Sequence, residues 1–229
     1  MKISGLQKLT LLDYPGKVAC TLFTCGCNLR CPFCHNIDLV VDAANQPSMD
    51  LNEILLFLKD RIGKLEGVAI TGGEPLIHDD IDDFLYQIKN LGFPIKLDTN
   101  GYYPDRLKRL IDKKLIDMVA MDIKSGITNY KKVAGLDTKN DIYLKSVEII
   151  KNCDIDYEFR TTCVKGLHTI DDFYEIKDII NGAKKYFLQN YRANDRIEHL
   201  PFKAFTIEEL TEFKNIVEPY VSQVEIRGM

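Results

Sequence analysis

"CGCNLRCPFCHN", residues 25–36, places four of the seven cysteines of the chain within ten positions. Three of them, Cys27, Cys31 and Cys34, have the spacing C-x3-C-x2-C. Three thiolates on one short loop can bind three irons of a cubane cluster and leave the fourth iron without a protein ligand. The spacing therefore favours a 4Fe-4S cluster held by these three cysteines.

A structural zinc loop is the alternative interpretation of the same stretch. Zinc would need a fourth protein ligand, which Cys25 or His35 would have to supply. His35 directly follows the last cysteine of the motif, which hinders chelation of one ion by both, and no second ligand pair follows at zinc-finger spacing. Cysteines outside the motif, Cys20, Cys153 and Cys163, are expected to pack as small hydrophobic residues. The role of Cys25 stays open.

The composition is that of a single globular domain. The chain has 229 residues, of which 45% are hydrophobic and 28% charged, with 34 acidic residues against 30 basic ones. The net charge of −4 offers no basic field for nucleic acid or for an anionic membrane. The N-terminus has no signal-peptide pattern, and no stretch approaches the roughly 20 apolar residues of a membrane span. We expect a cytoplasmic protein, where reduced thiols serve metal or redox chemistry.

Strands and helices alternate along the chain, which predicts βαβ units and a parallel sheet. Predicted strands cover 17–24, 67–73, 93–101, 116–123, 155–164, 184–191 and 222–227, and predicted helices cover 51–62, 79–91, 104–114, 141–152, 171–180 and 207–217. About six such units are too few for a closed eight-stranded barrel. The pattern leaves two architectures open, a doubly wound sheet and an incomplete barrel.

Short polar motifs follow the predicted strands. "GGEP" (72–75), "DTNG" (98–101), "MDIK" (121–124) and "RTT" (160–162) lie at or near the ends of four strands, and the cysteine stretch follows the first strand. Because the carboxyl ends of parallel strands share one rim, we expect these motifs to form one site with the cysteines.

The C-x3-C-x2-C motif with Phe33 before its last cysteine, together with "GGEP", resembles the radical S-adenosylmethionine (SAM) superfamily. The longer stretch "GLQKLTLLDYPGKVACTLFTCGCNLRCPFCHN" (5–36) is similar to the glycyl-radical-enzyme activases, in particular to those of anaerobic ribonucleoside-triphosphate reductase. The resemblance implies an α/β fold, an incomplete (β/α)6 parallel barrel of the radical SAM type. It implies one domain over residues 1–229, with a cluster loop at 25–37 and a C-terminal extension from about 192 to 229.

This resemblance also implies an activity. The protein would reductively cleave SAM to a 5'-deoxyadenosyl radical and generate a glycyl radical on anaerobic ribonucleotide reductase, with a flavodoxin or ferredoxin as reductant. Its cofactors would be a 4Fe-4S cluster and SAM, and no catalytic residue is expected beyond them. The alternatives are an activase of another glycyl-radical enzyme, a small-molecule radical SAM enzyme and a non-catalytic zinc-binding module.

Residue roles follow from the same resemblance. Gly72 and Gly73 would let the backbone approach the ligand, and Glu74 would accept a hydrogen bond from the ammonium group of SAM. Lys124 or Arg160 would pair with its carboxylate. The implied cofactor-binding residues are Phe33, Asn36, Gly72, Gly73, Glu74, Pro75, Asn100, Lys124 and Arg160, of which Asn36 and Asn100 would bind the nucleoside.

A monovalent-cation site is implied at Asp98, Thr99 and Asp122, whose hard oxygen ligands suit such an ion. The alternative for Asp122 is an ion pair with Lys124 at the end of a strand. The late histidine that helps to hold SAM in pyruvate formate-lyase activase has no evident counterpart. His168 and His199 lie in predicted loops, where either could be simply exposed.

Overall fold

The computed structural model describes residues 1–135, 140–193 and 201–228. Its strands are β1 (Ile3–Thr10), β2 (Ala19–Thr24), β3 (Gly67–Gly72), β4 (Ile95–Thr99), β5 (Met118–Asp122), β6 (Asp156–Cys163), β7 (Ala183–Asn190) and β8 (Val221–Arg227). Its helices are α1 (Ile37–Val41), α2 (Leu51–Lys59), α3 (Ile81–Asn90), α4 (Pro104–Asp112), α5 (Tyr130–Ala134), α6 (Asn140–Lys151), α7 (Ile170–Ile179) and α8 (Ile207–Val217). Two short 3-10 helices cover Pro75–Ile77 and Glu218–Tyr220.

All eight strands form one sheet in chain order. β1 runs antiparallel to β2, and each later neighbour pair is parallel. Within the described ranges no pairing joins β1 to β8, so the sheet stays open. The expected incomplete parallel barrel is confirmed, and the doubly wound alternative is excluded because the strand order never reverses.

Most predicted elements agree with the structure to within a few residues, and the differences lie at the two ends of the sheet. β1 was not predicted, because only its two end residues are buried and the strand lacks a clear alternation. β8 was expected as a strand within an extension, whereas it pairs in parallel with β7 and belongs to the barrel. α1 has five residues, too few for a helical period to be recognised.

The apolar faces of the helices cover the outside of the sheet. Ile54 and Leu58 of α2 are buried, and Phe173 of α7 stacks on Phe213 of α8 with ring centroids 4.1 Å apart. At the amino ends of the strands, the buried Tyr14 packs with Ala19 and Met118 and closes that end of the barrel. The opposite rim, at the carboxyl ends, carries the polar loops. None of the described helices combines the length and the apolar character needed to cross a bilayer.

Candidate functional site

A cavity of about 170 Å³, partly open to solvent, lies at the carboxyl ends of β2 to β6. The structure brings nearly all the predicted site residues to this cavity, as the rim argument required. Those lining it are Cys27, Cys31, Phe33, Cys34, Asn36, Gly72, Gly73, Asp98, Thr99, Asn100, Asp122, Lys124 and Arg160.

The cluster loop is held from several sides by main-chain hydrogen bonds. Gly26 has a φ of +91°, which glycine adopts without strain, and its N–H donates to Leu39 of α1 at 2.7 Å. The Arg30 N–H donates to the Ala134 carbonyl of α5 at 3.0 Å. Beyond it, Gly135 packs so closely that an added Cβ would lie 1.8 Å from the Arg30 oxygen. These contacts fix the loop that carries the cysteines.

The three thiols of the motif are largely buried and lie near the Lys124 ammonium. Burial raises the pKa of Cys27 to about 11 and also raises the pKa values of Cys31 and Cys34. The nearby Lys124 ammonium opposes the rise at all three. Without a metal the thiols keep their protons, so metal binding must release them, and Lys124 lowers the cost of forming thiolates.

Both candidates for a fourth protein ligand are turned to other partners. The Cys25 thiol is 3% exposed and donates to the carbonyls of Leu39 and Ala43, each at 3.4 Å. His35 contacts the Arg192 main-chain oxygen through Nε2, and its ring stacks on the Tyr191 ring with the two centroids 6.0 Å apart. Cys25 therefore lies outside the cavity, whereas His35 lines it beside the three thiols with its Nε2 already in contact with a main-chain oxygen.

This donor set fits a cubane cluster better than a single ion. Across the part of the chain that the structure describes, no three His, Cys, Asp or Glu side chains converge as ligands of one metal ion. In a cubane each thiolate binds a different iron, so convergence on one point is not required. Cys27 also accepts hydrogen bonds from the Leu29 N–H (3.4 Å) and the Asn100 amide (3.7 Å). Such bonds to sulfur tune the potential of an iron–sulfur cluster.

The two glycines of "GGEP" let β3 meet the cluster loop. The Gly73 N–H donates to Thr24 and the Glu74 N–H donates to Gly26, each at 2.9 Å. A Cβ on Gly73 would lie 1.9 Å from the Gly26 oxygen, and Gly72 has a φ of +112°. Both glycines also line the cavity. In the structure these glycines allow the end of β3 to pack closely on the cluster loop. Their close approach to a bound ligand stays a prediction.

Glu74 does not have the position that the sequence suggested. Its side chain is fully buried and outside the cavity lining, so the expected contact with a bound ammonium is not supported. Its carboxylate accepts hydrogen bonds from Leu76 N (3.0 Å), Thr99 Oγ1 (2.8 Å) and Asn100 N (2.7 Å). Burial raises its pKa to about 7 despite these bonds. Glu74 thus ties the end of β3 to the end of β4, and the buried Pro75 begins the following 3-10 helix.

The two asparagines predicted to bind a nucleoside link the loops around the cavity. The Asn36 amide donates to the Gly72 oxygen at 3.1 Å. The Asn100 amide donates to Asn28 Oδ1 at 2.8 Å and so connects β4 to the cluster loop. Both side chains line the cavity, and contact with a nucleoside remains a prediction.

Asp98 and Asp122 lie in a network of side-chain cations. Arg160 donates from Nε to Asp122 (2.9 Å) and from Nη1 to Asp98 (3.2 Å), and Lys124 contacts Asp122 at 2.9 Å. Lys96 contacts the other oxygen of Asp98. Burial alone would raise the pKa values of both carboxyl groups, but the neighbouring cations hold them below the ordinary value. The ion-pair interpretation of Asp122 is therefore confirmed, and a monovalent cation at Asp98 and Asp122 would have to displace these partners.

Two residues near the site, Lys96 and His168, were not predicted to lie there, whereas Thr162 belongs to the predicted "RTT" motif. Thr162 of β6 lines the cavity, and Lys96 reaches Asp98 from inside the barrel. His168 is 4% exposed, so the suggestion that it is a surface side chain is wrong. It packs edge-on to Phe33 with ring centroids 6.4 Å apart. The lysine two residues before Asp98 was a usable signal, because alternate strand residues share a face. His199 lies outside the described residues.

Comparisons with known proteins agree with this geometry. The model of the Radical SAM superfamily matches residues 21–180. A Methanocaldococcus jannaschii protein, provisionally named a glycyl-radical enzyme activating enzyme, is 32% identical over 98% of this chain and 95% of its own length. The pyruvate formate-lyase-activating enzyme of Clostridium pasteurianum is 29% identical over 91% of this chain and 84% of its own length.

A solved structure has the same fold. Streptococcus suis SuiB bound to S-adenosylmethionine superposes with a TM-score of 0.67 at 17% identity, over 91% of this chain and 52% of that chain. The present chain thus spans about half the length of that protein. At this identity the likeness concerns the architecture of the barrel.

Proposed function

The chain belongs to the radical SAM superfamily, and from that premise we propose that it is the activating enzyme of a glycyl-radical enzyme, with anaerobic ribonucleoside-triphosphate reductase as its partner. The superfamily uses a 4Fe-4S cluster and SAM. One observation carries the proposal. The three thiols of the motif line the rim cavity, whereas Cys25 lies outside it and donates to the Leu39 and Ala43 carbonyls, and Nε2 of His35 contacts the Arg192 main-chain oxygen.

Cys27, Cys31 and Cys34 would hold the cluster, and the cavity beside them would hold SAM. When bound and reduced, the cluster supplies the electron that breaks a C–S bond of SAM to give methionine and a 5'-deoxyadenosyl radical. The positive charges of Lys124 and Arg160 suit the carboxylate of the methionine moiety. Since Asp122 already contacts both, it orients these cations toward the cavity. A glycine Cα of the partner would then supply the hydrogen atom that the radical takes.

The activase class and the choice of partner have different support. The two relatives named as activating enzymes support the class, and one of them is named for pyruvate formate-lyase. The reductase as partner rests on the sequence stretch that includes "LLDYPGK" (11–17) and resembles reductase activases. In the structure Tyr14 of this segment is buried at the amino ends of the strands, opposite the cavity. This position indicates that the segment helps to build the barrel and does not by itself indicate a contact with a partner protein. The choice of partner therefore needs a direct experiment.

That experiment is anaerobic reconstitution with iron and sulfide, followed by reduction with SAM in the presence of a candidate partner. We expect about four irons per chain, 5'-deoxyadenosine, and a glycyl-radical doublet in the electron paramagnetic resonance spectrum of the reductase. Pyruvate formate-lyase serves as the comparison partner. A radical on that enzyme alone would assign a different glycyl-radical enzyme, and 5'-deoxyadenosine without a radical on either would indicate another substrate.

Metal content tests the remaining alternative. Protein purified without oxygen that is colourless and contains about one zinc per chain would contradict the radical SAM assignment of this site. A brown protein with iron and sulfide in equal amounts would support it. Flavodoxin or ferredoxin, added in place of the chemical reductant, then tests the proposed electron donor.

A further inference from the structure

Lys96 carries a positive charge into the interior of the barrel. It lies on β4 two residues before Asp98, so both side chains point to the same face of the strand. Its neighbour in register on β3 is Ala69, and the neighbour of Asp98 on β5 is Ala120. These small residues leave room for the long lysine side chain, which is only 2% exposed. A buried ammonium is costly unless it is paired.

The partner of this ammonium is the Asp98 carboxylate. Lys96 Nζ lies 2.5 Å from Oδ1 of Asp98, and Arg160 Nη1 lies 3.2 Å from Oδ2. Each oxygen of Asp98 therefore contacts a side-chain cation. The carboxylate needs positive charge to stay ionised in the barrel, and the chain itself provides it.

Asp122, the second carboxylate expected to bind a monovalent cation, is engaged in the same way. Its two oxygens contact Arg160 and Lys124, each at 2.9 Å. The Thr99 hydroxyl has different partners: it donates to Glu74 at 2.8 Å and accepts from the Gly101 N–H at 3.1 Å. Side-chain cations and carboxylates thus alternate at the floor of the cavity, from Lys96 through Asp98, Arg160 and Asp122 to Lys124.

We propose that the Lys96 ammonium takes the place of the monovalent metal ion that the resemblance implies at Asp98, Thr99 and Asp122. As a cation fixed to the chain, it holds Asp98 and Arg160 in place at the floor of the cavity. SAM binding by this protein is then independent of Na⁺ and K⁺. Lys96 is a positioning residue, since it acts through Asp98 and Arg160 and does not line the cavity. The inference rests on the proposed function in that SAM is the ligand of the cavity.

The experiment compares cations at constant ionic strength. SAM affinity of the reconstituted protein is measured by equilibrium dialysis in NaCl, in KCl and in N-methyl-D-glucamine chloride, each at about 0.1 M. The thermal unfolding temperature of the protein without cluster or SAM is measured in the same three buffers. We expect the wild-type affinity to agree within about twofold across the series and its unfolding temperature to be unchanged, because the charge is built into the chain.

Lys96→Met removes the charge while keeping a long side chain. We expect its SAM affinity in N-methyl-D-glucamine to fall at least about tenfold, with partial recovery and a higher unfolding temperature in NaCl or KCl, because Asp98 then lacks one partner. Lys108→Met is the matched control, since Lys108 pairs with Asp112 on the exposed face of α4. Lys96→Gln is the second variant, should the methionine form fail to fold.

Two results would overturn the inference. One is wild-type protein whose SAM affinity or unfolding temperature depends strongly on Na⁺ or K⁺. The other is a folded Lys96 variant that behaves like wild type in the metal-free buffer. Failure of the proposed function is recognised separately, because SAM would then bind in none of the buffers. In that case the unfolding temperatures still decide whether Lys96 takes the place of an ion.

Discussion

The imidazole of His168 donates a hydrogen bond from Nε2 to the main-chain oxygen of Lys124 at 2.8 Å. Its Nδ1 accepts from the Val164 N–H at 3.0 Å, which specifies the neutral tautomer with the proton on Nε2. The same ring packs edge-on against Phe33 of the cluster loop. The buried His168 ring thus connects the cluster loop to Lys124, whose ammonium lies near the sulfurs of the cysteines.

We predict that His168→Ala weakens both stability and SAM binding. The substitution leaves the Lys124 oxygen and the Val164 N–H without their partner and opens a cavity beside Phe33. The free energy of unfolding should fall by about 2–4 kcal/mol, and SAM affinity by about tenfold, because the end of β5 loses its support. Urea unfolding and equilibrium dialysis measure the two effects. Tyr174→Ala, at a half-exposed position on α7, is the control, and unchanged affinity in a destabilised His168→Ala protein would limit His168 to a structural role.

The burial of His168 also predicts a pH dependence of stability. Burial lowers its pKa in the folded state, while the unfolded chain keeps the ordinary value of about 6.5. Between these two values the unfolded state binds more protons at His168, so the contribution of His168 to the free energy of unfolding falls as the pH drops below about 6.5. His168→Gln should flatten this part of the curve. Other groups also contribute to the measured curve. Burial lowers the pKa of His78, which adds a slope of the same sign, and raises the pKa of Glu74 from 4.5 to about 7, which adds a slope of opposite sign. A curve that His168→Gln leaves unchanged would show that the imidazole does not titrate in this range.

Gly73→Ala should disturb the joint between β3 and the cluster loop. The added Cβ would lie 1.9 Å from the Gly26 oxygen, which is main chain and cannot rotate away. We expect a loss of about 2–3 kcal/mol in the free energy of unfolding and poorer retention of iron during gel filtration. Gly5→Ala is the matched control, because its Cβ would meet the flexible Phe23 ring at an ordinary 3.4 Å. Equal behaviour of the two variants would mean that the loop can move to make room.

Arg227→Met tests whether β8 is an integral part of the barrel. Arg227 donates two hydrogen bonds of 3.1 Å to Glu158, whose side chain is 2% exposed. The other cation near Glu158 is Arg160, at 4.0 Å. Because the Arg227 side chain is 34% exposed and Glu158 keeps Arg160 nearby, removing Arg227 should lower the free energy of unfolding by about 1–3 kcal/mol, measured in urea. The double variant Arg227→Met with Glu158→Gln should recover part of the loss. A change of less than about 1 kcal/mol in the single variant would indicate a surface pair that contributes little.

The sequence predicted the parallel strands well because β2 to β7 are short buried runs bounded by turns, a pattern that periodicity detects. It missed β1, whose exposed middle residues carry no such pattern. The cysteines and rim motifs were placed correctly because strand ends in a parallel sheet share one edge. The direction of Glu74 and the burial of His168 could not be predicted, since both depend on contacts across the fold. Lys96 was overlooked because a lysine in a strand suggests an edge, although Asp98, two residues later on the same face of the strand, was a usable signal for its partner.

Single replacements of Cys27, Cys31 and Cys34 by alanine should each prevent stable loading of the cluster. A cubane with only two remaining thiolates is poorly held, so we expect iron content well below the roughly four per chain of wild type and no SAM cleavage. Cys25→Ala is the decisive comparison, since its thiol donates to the Leu39 and Ala43 carbonyls away from the cavity. This variant should keep its iron and lose about 1 kcal/mol of stability. Loss of metal in Cys25→Ala to the same degree as in the other three would instead make Cys25 a fourth ligand and restore the zinc alternative.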